Sequence, residues 1–181
     1  QDTHFVNPHG LDHEDHYTTA SELAKLTRYA LQNELIREIV GTRKTTIPHP
    51  GEVGTRLLVN HNKLLRLYED CIGVKTGFTK RSGRCLVSAA ERDGVTLIAV
   101  TLNAPNDWND HTAMLDYGFA KYESVLLCDN EEYLFPLSVV GGADSYVLLV
   151  NADPLRVTLP KKRGEITVTV EAPHFAYAPV A

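Results

Sequence analysis

The sequence lacks the marks of several functional classes. Its three cysteines, Cys71, Cys85 and Cys128, are odd in number and form no C-x-x-C pair, so they compose neither a disulfide framework nor a zinc ribbon. Buried thiols are the expectation. Basic charge is in deficit: 18 Lys and Arg stand against 23 Asp and Glu, leaving a net charge of -5, which removes the electrostatic case for nucleic acid. The run Lys161-Lys162-Arg163 is expected to be a solvated turn. No apolar run approaches the roughly eighteen residues of a membrane span. The zinc-peptidase spacing H-E-x-x-H is also missing, because His13-Glu14-Asp15-His16 is one residue short and precedes a helix cap. His4, His9, His13 and His16, with Asp12, Glu14 and Asp15 among them, therefore carry no expected metal site. His9 is expected to anchor its loop through backbone hydrogen bonds.

What is present is enough for one full-sized domain, or for a domain with a small module: 181 residues, 43% of them hydrophobic. Gln1 to Tyr17 is polar and rich in turn residues. Thr19-Ala-Ser-Glu22 is a capping box, and Leu23, Leu26, Thr27, Ala30 and Leu31 then fall on one helical face. A second helical stretch, Glu34 to Val40, closes at Gly41, and a proline-bearing polar connection is expected from Thr42 to Leu67. Three strand candidates follow, Gly73 to Phe78, Arg84 to Ala90 and Val95 to Leu102, with linkers short enough to make an antiparallel meander. A helix is expected from about Asp110 to Tyr122. After Val125 the chain turns β-rich, with runs at Tyr133 to Phe135, Tyr146 to Val150, Leu155 to Leu159 and Glu165 to Val170. This shift predicts a division into residues 1–124 and an all-β module at 125–181.

The chemistry concentrates in "CIGVKTGFT", Cys71 to Thr79. If this strand lies at a sheet edge, its free backbone groups can pair with an extended peptide. Lys75 would then supply a point charge and Thr76 a hydroxyl, while Gly77 lacks the side chain that would block close approach. Such a strand suits a peptide that ends in a carboxylate. Asp107, Asp110 and Asp116 are read as helix-capping and surface residues rather than acids or bases.

With "NPHGL", "NHNKLL", "GVKTGFT", "GRCLVSAA" and "DYGF" in this order between Asp2 and Tyr122, the sequence resembles the serine D-alanyl-D-alanine carboxypeptidases, the low-molecular-weight penicillin-binding proteins of the bacterial cell wall. The tail from Glu123 looks, more loosely, like that family's C-terminal β domain. The resemblance implies an α/β (α+β) fold: part of a transpeptidase-like, β-lactamase-like domain with an antiparallel sheet, followed by a small all-β domain expected to be truncated. Three motifs build the family's site, S-x-x-K with the nucleophile, S-x-N with a relay serine, and K-T-G on the facing strand. Only the last is present. Ser21, Ser82, Ser88, Ser124, Ser138 and Ser145 fit neither of the others.

The expectation is a C-terminal portion of such an enzyme, inactive alone, whose front half is lost or present as another chain. Acyl transfer is the implied reaction: a serine attacks the bond between two D-alanines, an acyl-enzyme forms, and water releases the shortened stem peptide. Lys75 is the expected catalytic contributor, through electrostatic and proton-relay support, and Lys75, Thr76, Gly77, Phe78 and Thr79 are the expected substrate contacts. No cofactor is expected. The implied partners are a peptidoglycan stem peptide ending in D-Ala-D-Ala and β-lactams as inhibitors, in an extracytoplasmic setting with a C-terminal amphipathic membrane anchor not contained here. Family members often carry a carboxylate-binding arginine after the third strand. The segment "NAPNDWNDH" has none, which leaves Lys75 with Thr76, or Arg81, or Arg84 for that role. A non-catalytic peptidoglycan-binding module is the other function class that fits.

Overall fold

The computed structural model describes residues 2–51, 53–130, 132 and 134–179. The chain divides into two compact units, Gln1–Ala120 and Lys121–Ala181. Among the described residues no helix is long and apolar enough to cross a membrane.

In the first unit, α1 (Ala20–Ala30) starts at Thr19, whose hydroxyl accepts the Glu22 amide 3.2 Å away. The expected capping box is only half realised. The Glu22 carboxylate instead accepts from the Thr3 hydroxyl and the Asp2 amide, which hold its pKa below the usual carboxylate value and tie the chain before the helix to its first turn. Asn33 caps α2 (Glu34–Gly41) by accepting the Ile36 amide.

The expected polar connection from Thr42 to Leu67 is corrected by the structure. It holds a hairpin, β1 (Lys44–Pro48) with β2 (Thr55–Val59), and a single helical turn, α3 (Leu64–Leu67). Both hairpin strands are exposed along their whole length, so they carry no alternation of buried and exposed positions for a sequence pattern to betray. Leu64 and Leu65, by contrast, are sealed in the core.

The meander forms as expected: β3 (Cys71–Thr79), β4 (Gly83–Arg92) and β5 (Val95–Thr101) pair antiparallel in the order β3-β4-β5. α4 (Asp107–Lys121) begins three residues earlier than expected. Its buried positions Asp107, His111, Leu115, Gly118 and Phe119 recur on one face. Leu115 and Phe119 join Leu64, Leu86, Ala90, Val95 and Ala99 in the core. The α1 and α2 helices serve the sheet as well, with Gly41 close against the Ile72 carbonyl.

Gly83, which turns β3 into β4, has φ +68, and a Cβ there would lie 2.0 Å from Asn103 Oδ1. Left-handed backbone costs an L-residue about 1–2 kcal/mol, so Gly83→Ala is expected to lose at least that much stability. Urea denaturation measures it, and a midpoint equal to wild type would contradict the reading.

In the second unit, β6 (Tyr122–Cys128) follows α4 directly, then come β7 (Leu134–Val140), β8 (Tyr146–Val150), β9 (Leu155–Pro160) and β10 (Phe175–Tyr177). β6 pairs with β9, while β7 sits between β8 and a parallel β10. Of the expected Tyr133-to-Phe135 strand, Tyr133 lies outside the described residues. The expected strand at Glu165 to Val170 is corrected: it pairs with no strand among the described residues. Its alternating Ile166, Val168 and Val170 suit a pleated surface, but a strand exists only through pairing, and Val168 and Val170 instead line a cavity with Phe135, Leu149 and Leu155.

Candidate active site

β3 is the border strand of its sheet, so its outer edge carries backbone groups that no other described strand pairs. Its inner edge is fixed residue by residue: Lys75 lies opposite Val87, Thr76 opposite Leu86, Gly77 opposite Cys85, Phe78 opposite Arg84 and Thr79 opposite Gly83. The pleat puts Lys75, Gly77 and Thr79 on one face, and Thr76 and Phe78 on the face that Leu86 shares with the core. Burial falls along the strand from Cys71 and Gly73 to the exposed Lys75, Gly77 and Phe78. The strand is thus rooted at one end and accessible at the other. The Lys75 ammonium donates to the Thr76 carbonyl of its own strand, leaving donor capacity for an incoming group.

Just past the motif, Ser82 donates its amide to Thr79 Oγ1 at 2.9 Å, and the hydroxyls of Thr79 and Ser82 lie 2.8 and 2.9 Å from Asp12 Oδ1. Asp12 ends the "NPHGLD" stretch. Within that loop the Asn7 side chain accepts the Gly10 amide and donates to the Leu11 carbonyl, and Gly10 sits at φ +76. The histidines around it make local hydrogen bonds. His9 Nδ1 accepts the Leu11 amide, His13 Nδ1 the Asp15 amide and His16 Nδ1 the Val6 amide, while His4 Nδ1 lies 2.7 Å from the Asp15 carbonyl.

Of the arginines considered for a substrate carboxylate, Arg84 is engaged. It holds Asp107 through Nε and Nη2, both at 3.0 Å, and its guanidinium lies 5.4 Å from the Trp108 ring centre. Asp107, read from sequence as a capping or surface residue, is buried at 3% exposure as that partner. Arg81 stays exposed in the turn after β3. Asp116 accepts from the Tyr68 hydroxyl at 2.8 Å, and burial with that carboxylate pushes the Tyr68 pKa up to about 12. Burial likewise raises the Cys71 thiol.

A buried polar chain went unread in the sequence. His111 Nδ1 lies 2.6 Å from Ser88 Oγ and its Nε2 lies 2.9 Å from Thr101 Oγ1. A serine beside a histidine is the pairing that nucleophilic catalysis uses. Here both are 0% exposed, so no substrate reaches the hydroxyl, and the group joins α4 to β4 and β5 instead. Burial lowers the His111 pKa to about 4 against the partial opposition of Asp107 and Asp110, keeping the ring neutral.

A Lys-Thr-Gly strand on the border of an antiparallel sheet, with helices packed on it, defines a transpeptidase-like fold. The sequence pattern of the D-alanyl-D-alanine carboxypeptidase family, peptidase S11, matches residues 1–106, and the chain belongs to that family. It is 31% identical over 168 residues to the Bacillus subtilis D-alanyl-D-alanine carboxypeptidase DacF, covering 91% of this chain and 42% of that one. It is 35% identical over 125 residues to a Streptomyces D-alanyl-D-alanine carboxypeptidase, covering 65% of this chain and 43% of that one. Among solved structures, a mutant of the Streptomyces K15 DD-transpeptidase superposes with TM-score 0.63 at 35% identity, over 66% of this chain and 49% of that one. The Mycobacterium tuberculosis D-alanyl-D-alanine carboxypeptidase gives TM-score 0.60 at 31% identity, over 66% and 47%. The chain thus spans about two fifths of the length of these curated relatives.

Proposed function

We propose that this chain supplies the substrate strand of a penicillin-sensitive serine D-Ala-D-Ala carboxypeptidase, which trims the terminal D-alanine from peptidoglycan stem peptides outside the cytoplasm. The observation that carries the reading is Lys75-Thr76-Gly77 on the accessible half of a border strand whose outer edge no described strand pairs, in a chain of the carboxypeptidase family. The peptide lies along the outer edge of β3 as an added strand, and Gly77 lets its backbone come close. Its terminal carboxylate sits at the open edge of the strand, where the Lys75 ammonium reaches it from one face and the Thr76 hydroxyl from the other, since Arg84 is held by Asp107. Backbone amides of the strand help stabilise the oxyanion that develops on attack. Phe78, 70% exposed, offers apolar surface to the peptide.

The nucleophile and the relay serine come from outside these 181 residues, because no serine here stands in an S-x-x-K or S-x-N setting. Surface for such a segment exists: Leu35, Ile39, Leu58 and Val59 line an exposed groove between α2 and the β1–β2 hairpin. In this reading residues 1–124 belong to the transpeptidase-like domain and residues 125–181 to the β domain.

Intact-mass measurement of every polypeptide in the assembled protein, before and after penicillin, tests the proposal. The expected result is that the polypeptide bearing S-x-x-K gains the mass of the antibiotic. No gain on any polypeptide overturns the enzyme reading and leaves a peptide-binding module.

A further inference from the structure

We infer that Asp12 is a positioning residue for the substrate strand: its carboxylate fixes the outer end of β3 to the loop of residues 4–17. The inference rests on the reading of β3 as the strand that takes the peptide. Thr79 and Ser82 bracket the turn that leaves β3, and their hydroxyls close a triangle on Asp12 Oδ1. Thr79 Oγ1, which accepts the Ser82 amide, and Ser82 Oγ lie 2.8 Å from each other and 2.8 and 2.9 Å from that carboxylate oxygen, so two hydroxyl protons serve three oxygen pairs and every arrangement leaves at least one hydroxyl donating to Asp12. An ionised acceptor makes these bonds stronger than a neutral one would.

The loop that presents Asp12 is pinned at its base, where the backbones of His4 and Tyr17 exchange hydrogen bonds of 2.9 and 3.0 Å. Asn7 braces it internally through the Gly10 amide and the Leu11 carbonyl. A carboxylate carried by a braced loop is a fixed point rather than a swinging one. β3 needs such a point, because beyond its pairing with β4 no other described strand holds its exposed half. Thr79, with its hydroxyl engaged between Asp12 and Ser82, then serves the site by fixing the strand end rather than by touching substrate. This coupling joins positions 67 residues apart in the sequence.

Two measurements test it. The first is amide hydrogen exchange on this chain. Asp12→Ala is expected to speed exchange of the Phe78–Ser82 amides by about tenfold or more while the β4–β5 amides stay as in wild type. The second is β-lactam acylation in the protein that joins this chain to its S-x-x-K and S-x-N segments. There Asp12→Ala is expected to slow the acylation step by about tenfold, more than it weakens non-covalent binding. Asp12→Asn, whose amide oxygen can still accept both hydroxyls, is expected to recover to within about threefold of wild type.

The inference is overturned if Asp12→Ala matches wild type in both measurements, or if Asp12→Asn is as impaired as Asp12→Ala. It is also overturned if the loss of protection spreads through β4 and β5. Should Asp12→Ala not fold, Thr79→Val and Ser82→Ala each remove one donor; faster exchange at the strand end in either supports the clamp, and wild-type exchange in both overturns it. A wild-type protein that β-lactam does not acylate, with the strand end loosened by Asp12→Ala, sinks the enzyme reading and keeps the clamp.

Discussion

Replacing Lys75 with alanine is expected to slow β-lactam acylation by about 10²- to 10³-fold, the loss typical of removing one preorganised electrostatic contact to a developing charge. The fold is expected to stay intact. Lys75 is exposed, and its ammonium donates to the carbonyl of the next residue, so truncation strands no buried partner and should move stability by less than about 0.5 kcal/mol. The contrast separates site from scaffold: pre-steady-state acylation falls while the urea midpoint holds. Lys75→Arg should fall between the two, since a planar guanidinium keeps the charge but not the compact point donor. Acylation at the wild-type rate would remove Lys75 from the site.

Acid is expected to unfold the first unit through His111. The ring is protonated near pH 6.5 in the unfolded chain but resists until about pH 4 when folded, because it is buried between Ser88 and Thr101. Between those values the unfolded state binds the extra proton, so stability is full above pH 6.5 and declines as the pH falls toward 4. At about 1.4 kcal/mol per pH unit, the loss across that window comes to roughly 3 kcal/mol. Asp107 and Asp110 oppose the shift only in part. His111→Gln, which can still give and take hydrogen bonds but does not titrate, should flatten the dependence. Urea midpoints of both proteins at pH 7 and pH 4.5 decide the matter, and equal slopes would show that His111 is not the sensor.

Sequence alone exposed the parts of the fold whose cues are local. Asp93-Gly94 between two apolar runs announces the β4–β5 hairpin, Thr19 announces the start of α1 and Gly41 the end of α2. The β1–β2 hairpin escaped because its strands are exposed on both faces and Pro48 and Pro50 resemble loop punctuation. Glu165 to Val170 misled in the opposite direction, since alternation describes a side-chain pattern but says nothing of whether a neighbour offers its edge. At the candidate site, Lys75-Thr76-Gly77 was legible as a motif on a strand. Its setting was not: the pairings of Asp12 with Thr79 and of Arg84 with Asp107, and the sealed Ser88–His111–Thr101 chain, join residues that only the fold brings together.

The open border of β3 has a cost of its own. An edge that accepts one extended backbone accepts others, and two copies of this protein could zip together along it. Lys75 occupies the middle of the nine-residue strand, so an antiparallel pairing of two such edges in full register would set ammonium against ammonium. Like charges directly opposed weaken a strand pair. The cation assigned to recognition therefore also acts as a guard against self-association, admitting a partner that brings a negative end and turning away its own twin.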